Sequence, residues 1–375
     1  MNRILFISAF LLSVACSKAQ ELDEYALIDR TARRMPDSVS ASIETIARYI
    51  TNHFETNVQK VRAAYAWVTQ HIRYDKDSMY AINWAASAES KITVAMRRRK
   101  GVCENFASIF TGIVKLCGIR SYVVDGYTKQ QGQVNRNGHS WCAVELGLQW
   151  FFCDPTWDEK YKQANYFLVP PQAFIQTHMP FDPLWQLLPR HVSYQQFSSG
   201  KFLPGDDISF KPINDSANSF LQLNELEQMQ ASARRIRHAG FYNELIRTRH
   251  AYLEMQIAII LEDKDKRDYD SAVDDLQQAT KLFNEFIAYR NARFMPFRPD
   301  SDLANLLIPA EKLLTKSLER IAMIGTQVEN LQWDTGGMRK KISQLQSRIA
   351  EQQAFVQQYI RTPVSEREKM FFVTQ

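Results

Sequence analysis

At 375 residues the chain exceeds the roughly 100–200 residues of one ordinary domain. With 45% hydrophobic and 23% charged residues, it has the make-up of a globular protein able to build a sizeable core. Its 46 basic and 41 acidic residues leave a net charge of only +5, and no basic stripe with interleaved aromatics stands out, which argues against a nucleic-acid partner.

The chain opens with Asn2-Arg3, an apolar run from Ile4 to Ala15, and the small-x-small pattern Ser17-Lys18-Ala19. This is the pattern of an export leader over residues 1–19, with the mature chain starting near Gln20 and a periplasmic or cell-surface location. Leu12-Ser13-Val14-Ala15-Cys16 has the form of a bacterial lipoprotein box, which makes Cys16 a candidate lipid anchor. Ser13 stands where a bulky aliphatic residue is usual, so simple cleavage is favoured. No later segment approaches the roughly 18 uninterrupted apolar residues of a membrane span, and none is expected.

From Ser40 to about Tyr74 the period is helical: Ile43, Ile46, Ala47 and Ile50 form one stripe, and Val61, Ala64, Trp67 and Val68 another. Ser38 or Ser40 is placed to cap the first helix. A less regular stretch runs from Asp75 to Ser90, then the basic run Arg97 to Lys100, then a helix from Cys103 to Leu116 that stops at Gly118. Beyond Gly118 the period changes to short aromatic and β-branched runs at Tyr122–Val124, Trp141–Leu146 and Trp150–Cys153, which suit strands. Lys129 to Gly138 is polar and glycine-bearing and is expected to be a flexible loop. Tyr166 to Leu188, apolar and rich in proline, is expected to wrap the domain.

Residues 198–218 read as a linker, so the expected units are a leader 1–19, a first domain 20–197 and a helical domain 219–375. Helical patterns cover Phe220–His238, Phe241–Leu261, Tyr269–Arg290 and Leu303–Leu331. A turn at Asp334–Gly337 precedes Ile342–Ile360. In the last helix Ile342, Leu345, Ile349, Val356 and Tyr359 follow a seven-residue rhythm, as in an antiparallel helical hairpin or coiled coil, with packing inside the chain favoured over a partner.

Four cysteines follow the leader. They are too few for a disulfide framework, and no CxxC pair signals zinc, so no metal or cofactor is implied. Cys117, beside Leu116, fits an ordinary buried thiol. Cys103 fits that description less well, because it follows Gly101 at a helix start with cations close upstream, where thiolate is favoured. A thiol nucleophile needs a base, and the base an orienting partner. His139 precedes a strand and Asp154 ends the next. If the turn centres on Gly147-Leu148, Leu146 faces Gln149, Trp141 faces Asp154, and His139 shares a face with Asp154 as its diagonal neighbour. A slip of one residue would undo this. His178 is a rival base, although Met179-Pro180 suggests a packed loop. Cys142 and Cys153 would face each other on the opposite side of the sheet, and whether they pair is open.

Arg99-Lys-Gly-Val-Cys-Glu-Asn-Phe-Ala107, Gly118-Ile119, Gly126-Tyr127, His139-Ser-Trp141 and Asp154-Pro-Thr-Trp157, in this order, resemble the transglutaminase-like cysteine superfamily, in particular its bacterial members related to the kyphoscoliosis peptidase. Tyr65-Ala-Trp67, Ile72-Arg-Tyr74-Asp75, Tyr166-Phe-Leu and Trp185-Gln-Leu-Leu188 fit as well. The resemblance covers about residues 25–190. It implies an α+β fold, with N-terminal helices and a papain-like core whose Cys-helix packs on an antiparallel sheet, followed here by the all-α part. It implies the catalytic triad Cys103, His139 and Asp154, forming a thioester from peptide or glutamine-type amide bonds that water or a second amine resolves. Hydrolysis is expected over cross-linking because water needs no dedicated pocket, and the export leader makes peptides, proteins or the cell wall the expected substrates. The alternative is a catalytically idle domain serving as a peptide-binding scaffold with a helical interaction module.

Overall fold

The computed structural model describes residues 25–77, 87–161, 164–201, 211–325 and 333–372. The expected leader and Cys16 lie outside them. So does the middle of the expected linker, residues 202–210. Among the described residues no helix is long and apolar enough to cross a membrane. The fold is α+β, as the sequence led one to expect, and the chain divides into two compact units, residues 1–254 and 255–375.

In the first unit, helices α1 (Ile43–His53), α2 (Asn57–His71), α3 (Ala88–Arg98) and α4 (Cys103–Leu116) precede the sheet. Ile46, Ala47 and Ile50 of α1 and Val61, Ala64, Trp67 and Val68 of α2 are buried, as their spacing predicts. The cap of α1 is Ser42 rather than Ser38 or Ser40: its hydroxyl accepts from Thr45 N–H while Thr45 Oγ1 accepts from Ser42 N–H. Ser40 instead accepts from Trp67 Nε1 at 3.1 Å, a partner no local pattern reveals.

The sheet contains β1 (Ser121–Gln130), β2 (Gln133–Val134), β3 (His139–Leu146) and β4 (Gln149–Cys153), antiparallel in the order β2-β1-β3-β4. A fifth strand, β5 (His178–Pro180), pairs with the second half of β1. The β3–β4 register sets Leu146 opposite Gln149 and Cys142 opposite Cys153, the register read from the sequence. Lys129–Gly138 is more ordered than a flexible loop: β1 runs on to Gln130 and turns through Gln131 and Gly132, at φ 51° and 79°, into β2. Two successive left-handed residues give a turn whose twist matches its strands.

One face of the sheet, carrying Cys142 and Val144, is covered by α4 and shares a core with α1 and α2. The other face, carrying Trp141, Ala143, Trp150 and Phe152, is covered by the segment around Phe174 and Trp185 and by α6 (Lys211–Gln222) and α7 (Glu225–Ala239). Phe220 of α6 meets Tyr122 and Trp185 edge-on at 5.6 and 5.8 Å. On α7, Arg235 forks onto the Asp182 carboxylate at 2.7 and 2.6 Å. Residues 219–254 thus pack with the first unit, whereas the sequence grouped them with the helical domain. Their apolar stripes carry no label of the surface they cover.

Expected helices Phe241–Leu261 and Tyr269–Arg290 form one helix, α8 (Glu244–Asn291), because the polar stretch between them contains no glycine or proline to stop it. In the second unit the C-terminal part of α8 packs with α9 (Ile308–Met323) and α10 (Thr335–Arg361) around a separate core. Ile342, Leu345, Ile349 and Val356 are buried in it, as the seven-residue rhythm predicts. Asp334 is the N-cap of α10, accepting from Gly337 N–H at 2.7 Å, so the expected turn is a helix start.

Candidate active site

The three residues read from the sequence are brought together. Cys103 is the first residue of α4, half-buried, after Gly101 and Val102. Gly101 cannot be larger: a Cβ there would stand 2.6 Å from Asn105 Cβ and 2.8 Å from its Oδ1, the atom that accepts from Val102 N–H at 2.9 Å. The N-cap residue itself, Val102, has no side-chain oxygen to accept from the N–H groups of the first turn.

His139 is the first residue of β3 and shares its face with Trp141 by strand alternation. That is the face away from α4. The thiol and imidazole meet because the helix starts where the strand starts, at one end of the sheet. His139 Nε2 is 2.7 Å from Asp154 Oδ2, which leaves Nδ1 as the free ring nitrogen, and the Cys103 side chain is close enough to raise the pKa of the ring. Burial opposes charge on His139, but the Asp154 carboxylate and the Cys103 side chain more than offset it and raise its pKa to about 10.

Asp154 is fully buried at the end of β4. Its Oδ1 accepts from the backbone N–H of Thr156 at 2.9 Å and Trp157 at 3.1 Å, at the start of the short helix α5 (Pro155–Tyr161). Burial works against its ionisation. The charge of His139 and the hydrogen bonds from His139 and His178 hold the carboxyl well below its usual range all the same. Tyr65 of α2 donates toward the Asp154 backbone carbonyl at 3.0 Å and hydrogen-bonds Asp158, whose carboxyl burial pushes up to about 6. Trp141 and Trp157 stand 6.3 and 5.9 Å from the His139 ring, so both flank the base.

His178, the rival base of the sequence reading, serves elsewhere. It is fully buried, and its Nε2 lies 3.1 Å from the same Asp154 Oδ2 that His139 binds. His139, Asp154 and His178 each bring one ligand-type atom within 4.8 Å of the others, a metal-compatible cluster. The direct contacts at 2.7 and 3.1 Å are those of N–H donors on a carboxylate, whereas an ion held about 2.0–2.2 Å from each atom would stand between them.

Behind the triad Cys142 and Cys153 face each other across β3 and β4 as free thiols. Cys142 donates toward Ala107 carbonyl at 3.5 Å, and Cys153 accepts from Leu168 N–H at 3.4 Å. Burial pushes the Cys153 thiol up to about 12 and Cys142 well above its usual value, as fits packed rather than reactive sulfur.

Residues 44–155 match the family described as the transglutaminase-like superfamily. The chain is similar to the human kyphoscoliosis peptidase, at 27% identity over 203 residues, covering 50% of this chain and 30% of that protein. It is similar to hillarin of Drosophila melanogaster at 22% identity, over 48% of this chain and 25% of that one. To the uncharacterized protein YebA of Bacillus subtilis it is 25% identical, over 36% of this chain and 20% of that one. The chain therefore spans under a third of the length of these curated relatives.

Proposed function

Because residues 44–155 match the transglutaminase-like superfamily, we propose that Cys103, His139 and Asp154 make the chain an exported thiol-dependent acyl-transfer enzyme acting on amide bonds of peptides or proteins. The observation that carries this reading is His139 held between Asp154 at 2.7 Å and the Cys103 side chain. A protonated imidazole in that position stabilises a neighbouring thiolate, which is the nucleophile. The thiolate attacks the amide carbonyl carbon, and the oxyanion that forms is held by the Cys103 N–H at the start of α4. His139 passes its Nδ1 proton to the leaving amine as the C–N bond breaks, leaving a thioester and a neutral imidazole. Water, deprotonated by His139, then releases the acid and restores the thiol pair. Asp154, on Nε2, fixes the tautomer throughout.

Hydrolysis is preferred over amine transfer because water needs no acceptor pocket, and the name peptidase on a relative agrees with it. Peptides of the cell wall are a fitting substrate class for an exported chain. The test pairs iodoacetamide labelling with turnover. Cys103 should alkylate faster than the buried thiols Cys142 and Cys153, and His139→Ala should abolish that advantage. Glutamine-containing peptides incubated with a fluorescent primary amine should give new termini or free ammonia with little amine incorporated. Cys103 labelling at the rate of an ordinary thiol, indifferent to His139→Ala, would refute the enzyme and leave a peptide-binding domain.

A further inference from the structure

We propose that His178 is a positioning residue of this site, donating its Nε2–H to Asp154 Oδ2 and so holding the carboxylate against His139; the inference rests on the acyl-transfer reading above. A carboxylate offers about four acceptor positions. Thr156 and Trp157 N–H groups take Oδ1, and His139 and His178 take Oδ2. His178 is therefore the donor that completes the shell of a fully buried anion.

The tautomer follows from the partners. A carboxylate can only accept, so Nε2 carries the proton and Nδ1 is the acceptor. The Thr177 hydroxyl lies 2.8 Å from Nδ1 and donates to it. The ring is held in an aromatic box: it stacks on Phe174 at 4.1 Å, and Trp157 and Trp141 lie at 4.4 and 5.1 Å. The ionisable groups around it are Asp154, His139 at 5.9 Å ring to ring and Tyr166 at 5.4 Å. Asp158 and Tyr65 stand behind Asp154. Burial lowers the His178 pKa to about 4, against the pull of Asp154, so the ring is a neutral donor over the working range.

For packing alone, a phenyl ring would serve in this box without an imidazole's desolvation cost. The chain also makes room for this residue. Strand β5 sets Pro180 opposite Gly126 and His178 opposite Thr128, and a Cβ on Gly126 would stand 2.2 Å from Met179 carbonyl oxygen.

The test uses the full chain with His178→Phe, which keeps the aromatic volume and loses the donor. His178→Gln keeps an N–H donor and loses the ring. The rate of Cys103 alkylation by iodoacetamide is followed from pH 4 to 9, beside the thermal midpoint. In the Phe variant Asp154 is less firmly held as the partner of imidazolium. Its rate at pH 5 should drop about tenfold, the scale of one hydrogen bond to a charged group, and converge on wild type by pH 9. The Gln variant should regain most of the rate while melting below the Phe variant. A Phe profile superimposed on wild type, or rates that simply follow thermal midpoint in both variants, would overturn the role. If wild-type Cys103 itself labels as an ordinary thiol, the acyl-transfer reading fails instead. NMR titration of His139 then decides: a value lowered in His178→Phe upholds the positioning contact, and an unchanged one removes it.

Discussion

Gly126 sits directly opposite His139 in the β1–β3 pair, and the missing side chain at 126 lets both Trp141 and β5 close over the site. A Cβ at 126 would meet Met179 O at 2.2 Å, Trp141 Cη2 at 2.5 Å and Pro180 Cα at 2.7 Å. Two of these are backbone atoms that cannot swing aside. Gly126→Ala should therefore cost about 3 kcal/mol, the upper end of overpacking effects, and should slow Cys103 labelling by displacing His178. Urea denaturation with parallel labelling checks both. A variant as stable and as reactive as wild type would mean that β5 yields without consequence.

His139 and His178 bend the stability curve in opposite directions. Folding raises His139 from 6.5 to about 10, so its contribution is complete below pH 6.5 and is lost as pH rises through the folded value. Burial lowers His178 from 6.5 to about 4, so across that window the unfolded chain binds a proton the folded chain refuses, and stability falls as pH falls. Asp154, held below its usual 3.8, contributes stability that is present above that value and lost only in stronger acid. Stability should peak near pH 6.5. His178→Phe should flatten the acid side, worth on the order of 3 kcal/mol, and Asp154→Asn the alkaline side. Denaturant midpoints from pH 4 to 10 decide; an acid limb unchanged by His178→Phe would contradict a neutral buried imidazole.

The cysteines should separate sharply in reactivity. Cys103→Ala should abolish fast labelling and turnover with little effect on melting, since the side chain is half-buried at a helix start. Cys117→Ala should leave both intact, because burial raises the Cys117 pKa and its thiol faces Ala47 carbonyl at 3.7 Å. Cys142 and Cys153 should label only after unfolding. Peptide mass mapping after timed alkylation reads all four, and turnover surviving in Cys103→Ala would end the thiol mechanism.

The first unit needs α6 and α7. Asp182 is nearly buried, and its carboxylate is met by Arg235 at 2.7 and 2.6 Å and by the Ser232 hydroxyl at 2.6 Å. Arg235→Ala should cost about 2 kcal/mol, below the full penalty for a buried pair because the arginine is about one-third exposed. A fragment ending at residue 254 should keep cooperative melting. One ending at residue 197 would bare Tyr122 and Trp185 and should aggregate or melt early. Equal melting of the two fragments would show that these helices are dispensable.

Local signals carried much of this site. Gly147-Leu148 fixed the β3–β4 register, and with it the diagonal between His139 and Asp154; Gly118 marked the end of the Cys103 helix. The sequence misled where a contact is distant. His178 sits 24 residues from Asp154 on a three-residue strand ending in proline, too short to show a period, so its pairing with β1 left no trace. The grouping of α6 and α7 failed to show for the same reason: an apolar stripe announces that it is buried, and Phe220 carries no mark of Trp185. The junction of two helical patterns in α8 was obscured by a charged stretch that is compatible with helix, not by a stop signal.

The saturated carboxylate also bears on how this site can drift among homologues. With all of its acceptor positions filled, Asp154 cannot become Asn without turning an oxygen into an N–H2 that points at one of its present donors. If the amide nitrogen keeps facing His139, the imidazole N–H at 178 confronts another donor, and an acceptor or an apolar residue suits that position better. Positions 154 and 178 should therefore change together, histidine at 178 accompanying aspartate at 154 and departing with it. An alignment deep enough to test that pairing would read the hydrogen-bond shell of a buried anion as a correlation between two columns.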